Sequence, residues 1–160
     1  MYSKKSLTPE QAFQKIKQFC AYQERCHREV TEKLYCYGLC KKDVEIILTN
    51  LIEENYLNEE RFAIAFAGGK FRIKQWGRVK IKYELKQKGI SNYCITLALK
   101  EIEEEIYLET LKTLATKKWD SLKGEQHLTK RAKTTAYLMQ KGFEQHLIKA
   151  AIEEIRGGNG

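Results

Sequence analysis

Apolar residues recur along this chain at intervals of three and four, which places them on one stripe of a helix and predicts an all-helical protein. The stripe is written three times. Gly38, Gly89 and Gly142 each stand four residues after a leucine (Leu34, Leu85, Leu138) and directly before another apolar residue (Leu39, Ile90, Phe143). Beyond each glycine the spacing i, i+4, i+7 returns, as Val44, Leu48 and Leu51, then Ile95, Leu99 and Ile102, then Ile148, Ile152 and Ile155. All fifteen positions are apolar in a chain that is 42% apolar, a coincidence on the order of one in a million for a fixed phase.

Each glycine is expected to sit between two helices, because a residue without Cβ takes the left-handed conformation that ends a helix. A further helix precedes each pair. The spacing predicts helices over 9–22, 27–37 and 41–54, then 58–75, 77–88 and 91–104, then 105–119, 127–141 and 144–156. Thr8-Pro9-Glu10-Gln11 has the form of a capping box with proline at the first helical position, and Asn58 is placed to cap the fourth helix. The chain is therefore expected to be all-α, with three tandem three-helix repeats forming an elongated, curved array. The predicted division is an N-terminal tail at 1–8, repeats at 9–57, 58–104 and 105–156, and a flexible tail at 157–160.

Composition narrows the function. No apolar run approaches the roughly 18 residues of a membrane span, and the start lacks the apolar stretch of a signal peptide, so a cytoplasmic protein is expected. Five cysteines (Cys20, Cys26, Cys36, Cys40, Cys94) without dense spacing fit a reducing compartment and read as small, mostly buried apolar residues. Nothing matches a metal-ligand pattern, a nucleotide-binding Gly-Lys-Ser/Thr loop, a nucleophile elbow or a His-Glu-x-x-His pair, and His27, His127 and His146 lie far apart. The reading is a binding protein without catalytic residues, metal or cofactor.

A formal net charge of +8 suits an anionic partner, whether phosphate or an acidic protein surface. The charge sits in the middle: residues 58–102 hold 10 basic and 4 acidic side chains, whereas 9–57 hold 7 and 8 and 103–155 hold 9 and 9. Arg72, Lys74, Arg78, Lys80, Lys82 and Lys86 are the candidate contact residues, with Arg78, Lys82 and Lys86 on one helical stripe at i, i+4, i+8. Trp76 and Tyr83 read first as packing anchors between helices and second as stacking surfaces. The helix-turn-helix around Gly89 does not suit base reading, because its second helix, from Ser91 to Lys100, is too apolar and too weakly basic.

Two motifs carry a family resemblance. Asn55-Tyr56-Leu57-Asn58-Glu59-Glu60-Arg61-Phe62-Ala63, followed by Trp76-Gly77-Arg78 and Glu84-Leu85-Lys86-Gln87-Lys88-Gly89-Ile90, resembles the signature of the RecX regulatory proteins over about residues 9–156. Asn55 stands where the family usually has glycine, Asn58 and Glu59 replace a pair of aspartates, and Arg25-Cys26-His27-Arg28 replaces an Arg-Ser element. The resemblance implies a modulator of the RecA recombinase in recombination, DNA repair and the SOS response. Such a protein typically inhibits RecA ATP hydrolysis and strand exchange by lodging in the groove of the filament on DNA. Direct affinity for single- or double-stranded DNA is a second implication, and a monomer is expected. The competing expectation is a nucleic-acid-binding helical protein that acts independently of RecA.

Overall fold

A computed structural model describes residues 6–158. Among them the chain forms nine α-helices and one π-helical turn, with no strand. The first three are α1 (Pro9–Tyr22), α2 (His27–Cys36) and α3 (Lys41–Glu53). The second unit comprises α4 (Glu59–Gly69), a π turn (Lys70–Lys74), α5 (Arg78–Gln87) and α6 (Asn92–Lys100), and the third α7 (Glu104–Ser121), α8 (His127–Lys141) and α9 (Gln145–Gly158). The repeat glycines take φ of +87° at Gly38, +80° at Gly89 and +96° at Gly142. In the second and third units the residue after the glycine donates its amide to the leucine carbonyl five positions back, Ile90 to Leu85 at 3.1 Å and Phe143 to Leu138 at 3.2 Å. That bond closes the helix end and brings the two apolar side chains together, which explains why both flank the glycine in the sequence.

The caps form as expected. Thr8 Oγ1 accepts from the Gln11 amide at 3.2 Å while Gln11 Oε1 accepts from the Thr8 amide at 3.1 Å, and Asn58 Oδ1 accepts from the Arg61 amide at 2.8 Å. Two predicted helices end early. The one expected to reach residue 75 widens into the π turn after Gly69 and stops where Gln75 enters the left-handed region at φ 56°. The wide turn carries Phe71 into the core. Helix α6 stops at Lys100, yet Ile102 stays buried because its amide closes a tight turn onto Leu99 O at 3.3 Å. At the other end α9 continues through Gly157 and Gly158; residues 1–5 of the expected N-terminal tail and residues 159–160 lie outside the described residues.

Of the fifteen repeat positions all are buried except Leu48, Leu99 and Ile155, which are half-buried against the same cores. The three units do not share burial equally. Ile16, Val30, Leu34, Ile47 and Leu51 belong to a core within the first unit, whereas Phe62, Ile81, Leu85, Ile95, Leu111, Leu138 and Ile152 belong to one continuous core spanning the second and third. Tyr107 joins those two units. It is fully buried, with its ring centroid 5.7 Å from that of Phe71 and 5.3 Å from that of Phe143. Cys26, at the start of α2, is the first-unit residue that enters the larger core.

Candidate interface on the middle repeat

Helix α5 begins at a close backbone contact. The Gly77 amide donates to Lys141 O at 2.8 Å and the Val79 amide to Gly142 O at 2.9 Å, so the start of α5 is bonded to the turn between α8 and α9. Neither glycine has room for a side chain. A Cβ on Gly77 would overlap the Gly142 carbonyl and the Phe143 nitrogen, and one on Gly142 would lie 2.7 Å from Lys80 N.

Arg78 follows directly and serves the same joint. Its amide donates to the Tyr107 hydroxyl at 3.0 Å, and its guanidinium carbon lies 3.8 Å from the Tyr107 ring centroid. The guanidinium donates to Glu144 at 2.9 Å and also to Glu104, while the Tyr107 hydroxyl donates to the other Glu144 oxygen. Burial works against the Arg78 charge, but the hydrogen bonds to Glu144 and Glu104 outweigh it and hold the group above its ordinary pKa. Burial, reinforced by the bond to Glu144, pushes the Tyr107 phenol well above its ordinary value. Within the expected ridge of Arg78, Lys82 and Lys86, Arg78 thus differs from the two lysines: its guanidinium is paired with two carboxylates and stacked on an aromatic face.

The other five candidates remain available. Among the described residues Arg72, Lys74, Lys80, Lys82 and Lys86 lie beyond ion-pair distance of any acid. Arg72, Lys74, Lys82 and Lys86 are exposed, while Lys80 is half-buried with its ammonium 4.5 Å from the Trp76 ring centroid. The outer face of α5 therefore reads Val79, Lys82, Tyr83, Lys86 at i, i+3, i+4, i+7, with Val79 54% and Tyr83 60% exposed. Trp76 is the packing anchor the sequence suggests, edge-on to Phe66 at 6.5 Å. Tyr83 is not: it stands in solvent between two lysines.

Some partners of this surface escape a reading of the middle repeat alone. A cleft of about 200 Å³ between the second and third units is lined by Trp76, Lys80, Tyr137, Gln140 and Lys141. Lys70 stacks 5.1 Å from the Trp76 centroid and Lys118 lies 5.3 Å from that of Tyr137. The available signal was Lys141, which immediately precedes the third repeat glycine as Lys88 precedes the second. Chemically the combined surface offers ammonium groups over aromatic rings, which hold carboxylates or phosphates through charge while stacking apolar groups.

The signature residues prove to be joints. Arg61 reaches back to Glu24 at 2.5 Å, to Asn55 Oδ1 at 3.1 Å and to Asn55 O at 3.0 Å, which ties the start of α4 to the first unit. Glu59 accepts from the Ser91 amide at 2.6 Å, Leu57 and Phe62 are buried, and Trp76-Gly77-Arg78 forms the joint to the third unit. Asn55 lies at φ 64°, the left-handed region that glycine takes freely and asparagine tolerates better than most residues. The cysteines divide as well. Cys20, Cys26 and Cys94 are buried, in keeping with mostly buried cysteines, while Cys36 and Cys40 are exposed at the turn around Gly38. No helix of the described residues is long and apolar enough to cross a membrane.

Comparison with known proteins matches two family models, the second three-helix domain of RecX over residues 58–99 and the third over residues 104–152. A regulatory protein RecX from Chlorobium phaeobacteroides is 31% identical over 132 residues, covering 82% of this chain and 85% of that protein. One from Bacillus cytotoxicus is 26% identical over 138 residues, and there the chain spans about half (51%) of the relative's length. The crystal structure of RecX from Lactobacillus salivarius superposes with a TM-score of 0.84 at 24% identity, covering 92% of this chain and 96% of that one. A second crystal structure of a regulatory protein RecX gives 0.81 at 23% identity, covering 91% and 71%.

Proposed function

Since the chain belongs to the RecX family of regulatory proteins, we propose that it binds the RecA recombinase filament and lowers its ATP hydrolysis and strand exchange, without chemistry of its own. The supporting observation is the set of cations without an acid at ion-pair distance among the described residues, Arg72, Lys74, Lys80, Lys82 and Lys86, interleaved with exposed Val79 and Tyr83. Such a mixed face suits a protein interface with a polar rim better than a purely phosphate-binding one. It also stands on a rigid base, because α5 is bonded through its backbone to the third unit and shares that unit's core.

The mechanism follows from geometry and multivalency. The fused second and third units presenting one cationic surface, with the first unit tied to them through Arg61 and Cys26, make several modest contacts at once, and their free energies add when one molecule spans neighbouring subunits. A molecule that bridges subunits favours the filament state whose spacing it fits and opposes the changes of spacing that accompany turnover. DNA phosphate in the filament is a further ligand for the same lysines.

Titrating the chain into RecA on single-stranded DNA tests this directly. A dose-dependent fall in ATP hydrolysis is expected, and the double variant Lys82→Glu/Lys86→Glu should need about tenfold more protein for the same fall. Unchanged hydrolysis at saturating chain, accompanied by tight DNA binding that collapses with salt, would establish the independent nucleic-acid binder instead.

A further inference from the structure

The first and second units meet along an open groove of about 420 Å³, distinct from the outer face of α5 and from the Trp76 cleft. Its floor is apolar and its rim charged: Phe66 is half-buried, Ala65 is exposed, and Ile73 on the π turn is 79% exposed. A β-branched residue so exposed, on a π turn that recurs at functional sites, is unusual in a segment whose next inward residue, Phe71, is well buried.

The charges around this floor are uneven. Of its two acids, Glu24 is engaged by Arg61 at 2.5 Å and Glu29 by Lys88 at 3.5 Å. Lys70 and Lys74 have no acid within ion-pair distance among the described residues. The Lys70 and Lys88 ammoniums lie 5.5 and 5.6 Å from the Phe66 ring centroid, so the apolar floor is bordered by two cations. The uncompensated charge of the groove is positive, and its centre is aromatic.

We propose that this groove is a docking site for a short acidic segment of the protein partner, one that carries a large apolar side chain. The apolar side chain lies on Phe66 and Ala65 under Ile73, and neighbouring carboxylates pair with Lys70 and Lys74. Nucleic acid fits less well, because an apolar floor under an exposed isoleucine offers nothing to a sugar-phosphate backbone. The inference rests on the reading that the chain works on the RecA filament and specifies where one of its contacts is made.

Ala65→Arg and Ile73→Ser test it, with Ile73→Leu as the conservative control. Both positions are solvent-facing, so the unfolding midpoints of all three variants should match the parent chain. Anisotropy of N-terminally labelled chain would be followed against RecA filaments on single-stranded DNA, and separately against the DNA alone. Ala65→Arg and Ile73→Ser should bind filaments about tenfold more weakly or worse, with Ile73→Leu within about twofold and affinity for bare DNA unchanged. Because Ala65→Arg adds a cation, loss of affinity there reports blockage rather than charge. Variants that bind filaments as the parent does would overturn the groove while leaving the regulator standing. A loss matched on bare DNA would overturn the protein segment as occupant, and a parent chain that ignores filaments would overturn both.

Discussion

Replacing Gly77 with alanine should destabilise the protein more than replacing Gly89, although Gly89 is the residue with positive φ. Gly77 has φ −78° and ψ 168°, open to any residue, so its conformation alone gives no penalty. Its surroundings do, because the new methyl would overlap the Gly142 carbonyl and the Phe143 nitrogen, backbone atoms that cannot rotate away. Relief requires α5 to lift from the turn between α8 and α9, which breaks the bonds from the Gly77 and Val79 amides to Lys141 O and Gly142 O. Two such bonds contribute about 1 kcal/mol each and overpacking adds about 1–3 kcal/mol, for a total of about 3–5 kcal/mol. At Gly89, with φ +80°, the nearest atom to a new Cβ is Arg28 Nη2 at 3.0 Å, the end of a flexible side chain. That leaves only the left-handed conformation to oppose the change, about 1–2 kcal/mol. Urea unfolding followed by far-UV circular dichroism would measure both, and thermal scans should place Gly77→Ala about 10 °C below the parent chain. A Gly77→Ala protein as stable as Gly89→Ala, or more so, would refute the claim that backbone contact between repeats is what the glycine serves.

Arg78→Ala should cost about 2–3 kcal/mol, because it strands Glu144 beside Tyr107, whereas Lys82→Glu/Lys86→Glu should stay within about 0.5 kcal/mol of the parent chain. Arg78→Lys should recover little, since one ammonium cannot serve Glu104 and Glu144 while stacking on Tyr107; equal stability of all these variants in urea would show that Arg78 is an ordinary surface cation. Tyr107→Phe should cost about 1–2 kcal/mol and also change the alkaline behaviour. With its pKa raised in the folded state, the Tyr107 phenol keeps a proton that the unfolded chain releases, so its contribution is complete below about pH 10 and is lost as pH rises beyond that. Denaturation series across that range should show a steeper decline for the parent chain than for Tyr107→Phe, and parallel curves would contradict the assignment.

Several of the residues that carry the family resemblance are joints between repeats. Arg61, Gly77 and Arg78 hold units together through Glu24, Gly142 and Glu144, so their identity follows from the fold. The exposed cations and apolar residues of α5 and the π turn have no such structural duty. On the function proposed above, they are where affinity for a partner is open to change without cost to the array.

The periodic columns, the three turn glycines, the capping box at Thr8 and the cap at Asn58 were all legible in the sequence. Each rests on interactions within five residues, where the spacing along the chain equals the geometry in space. The same locality explains the correct placement of Lys82 and Lys86 on an exposed helical face. The pairing of Arg78 was not legible, because it is set by Glu144, 66 residues away, and Glu104, 26 away. Tyr83 and Trp76 look alike in sequence as aromatics beside lysines, yet Trp76 packs edge-on to Phe66 of α4 while Tyr83 stays largely exposed. The fusion of the second and third cores, the separate core of the first unit and the groove at their junction likewise had no local sign. They depend on which helices meet, and contacts between distant segments leave no period in the sequence, so tertiary packing alone decided which cations pair with acids and which, among the described residues, do not.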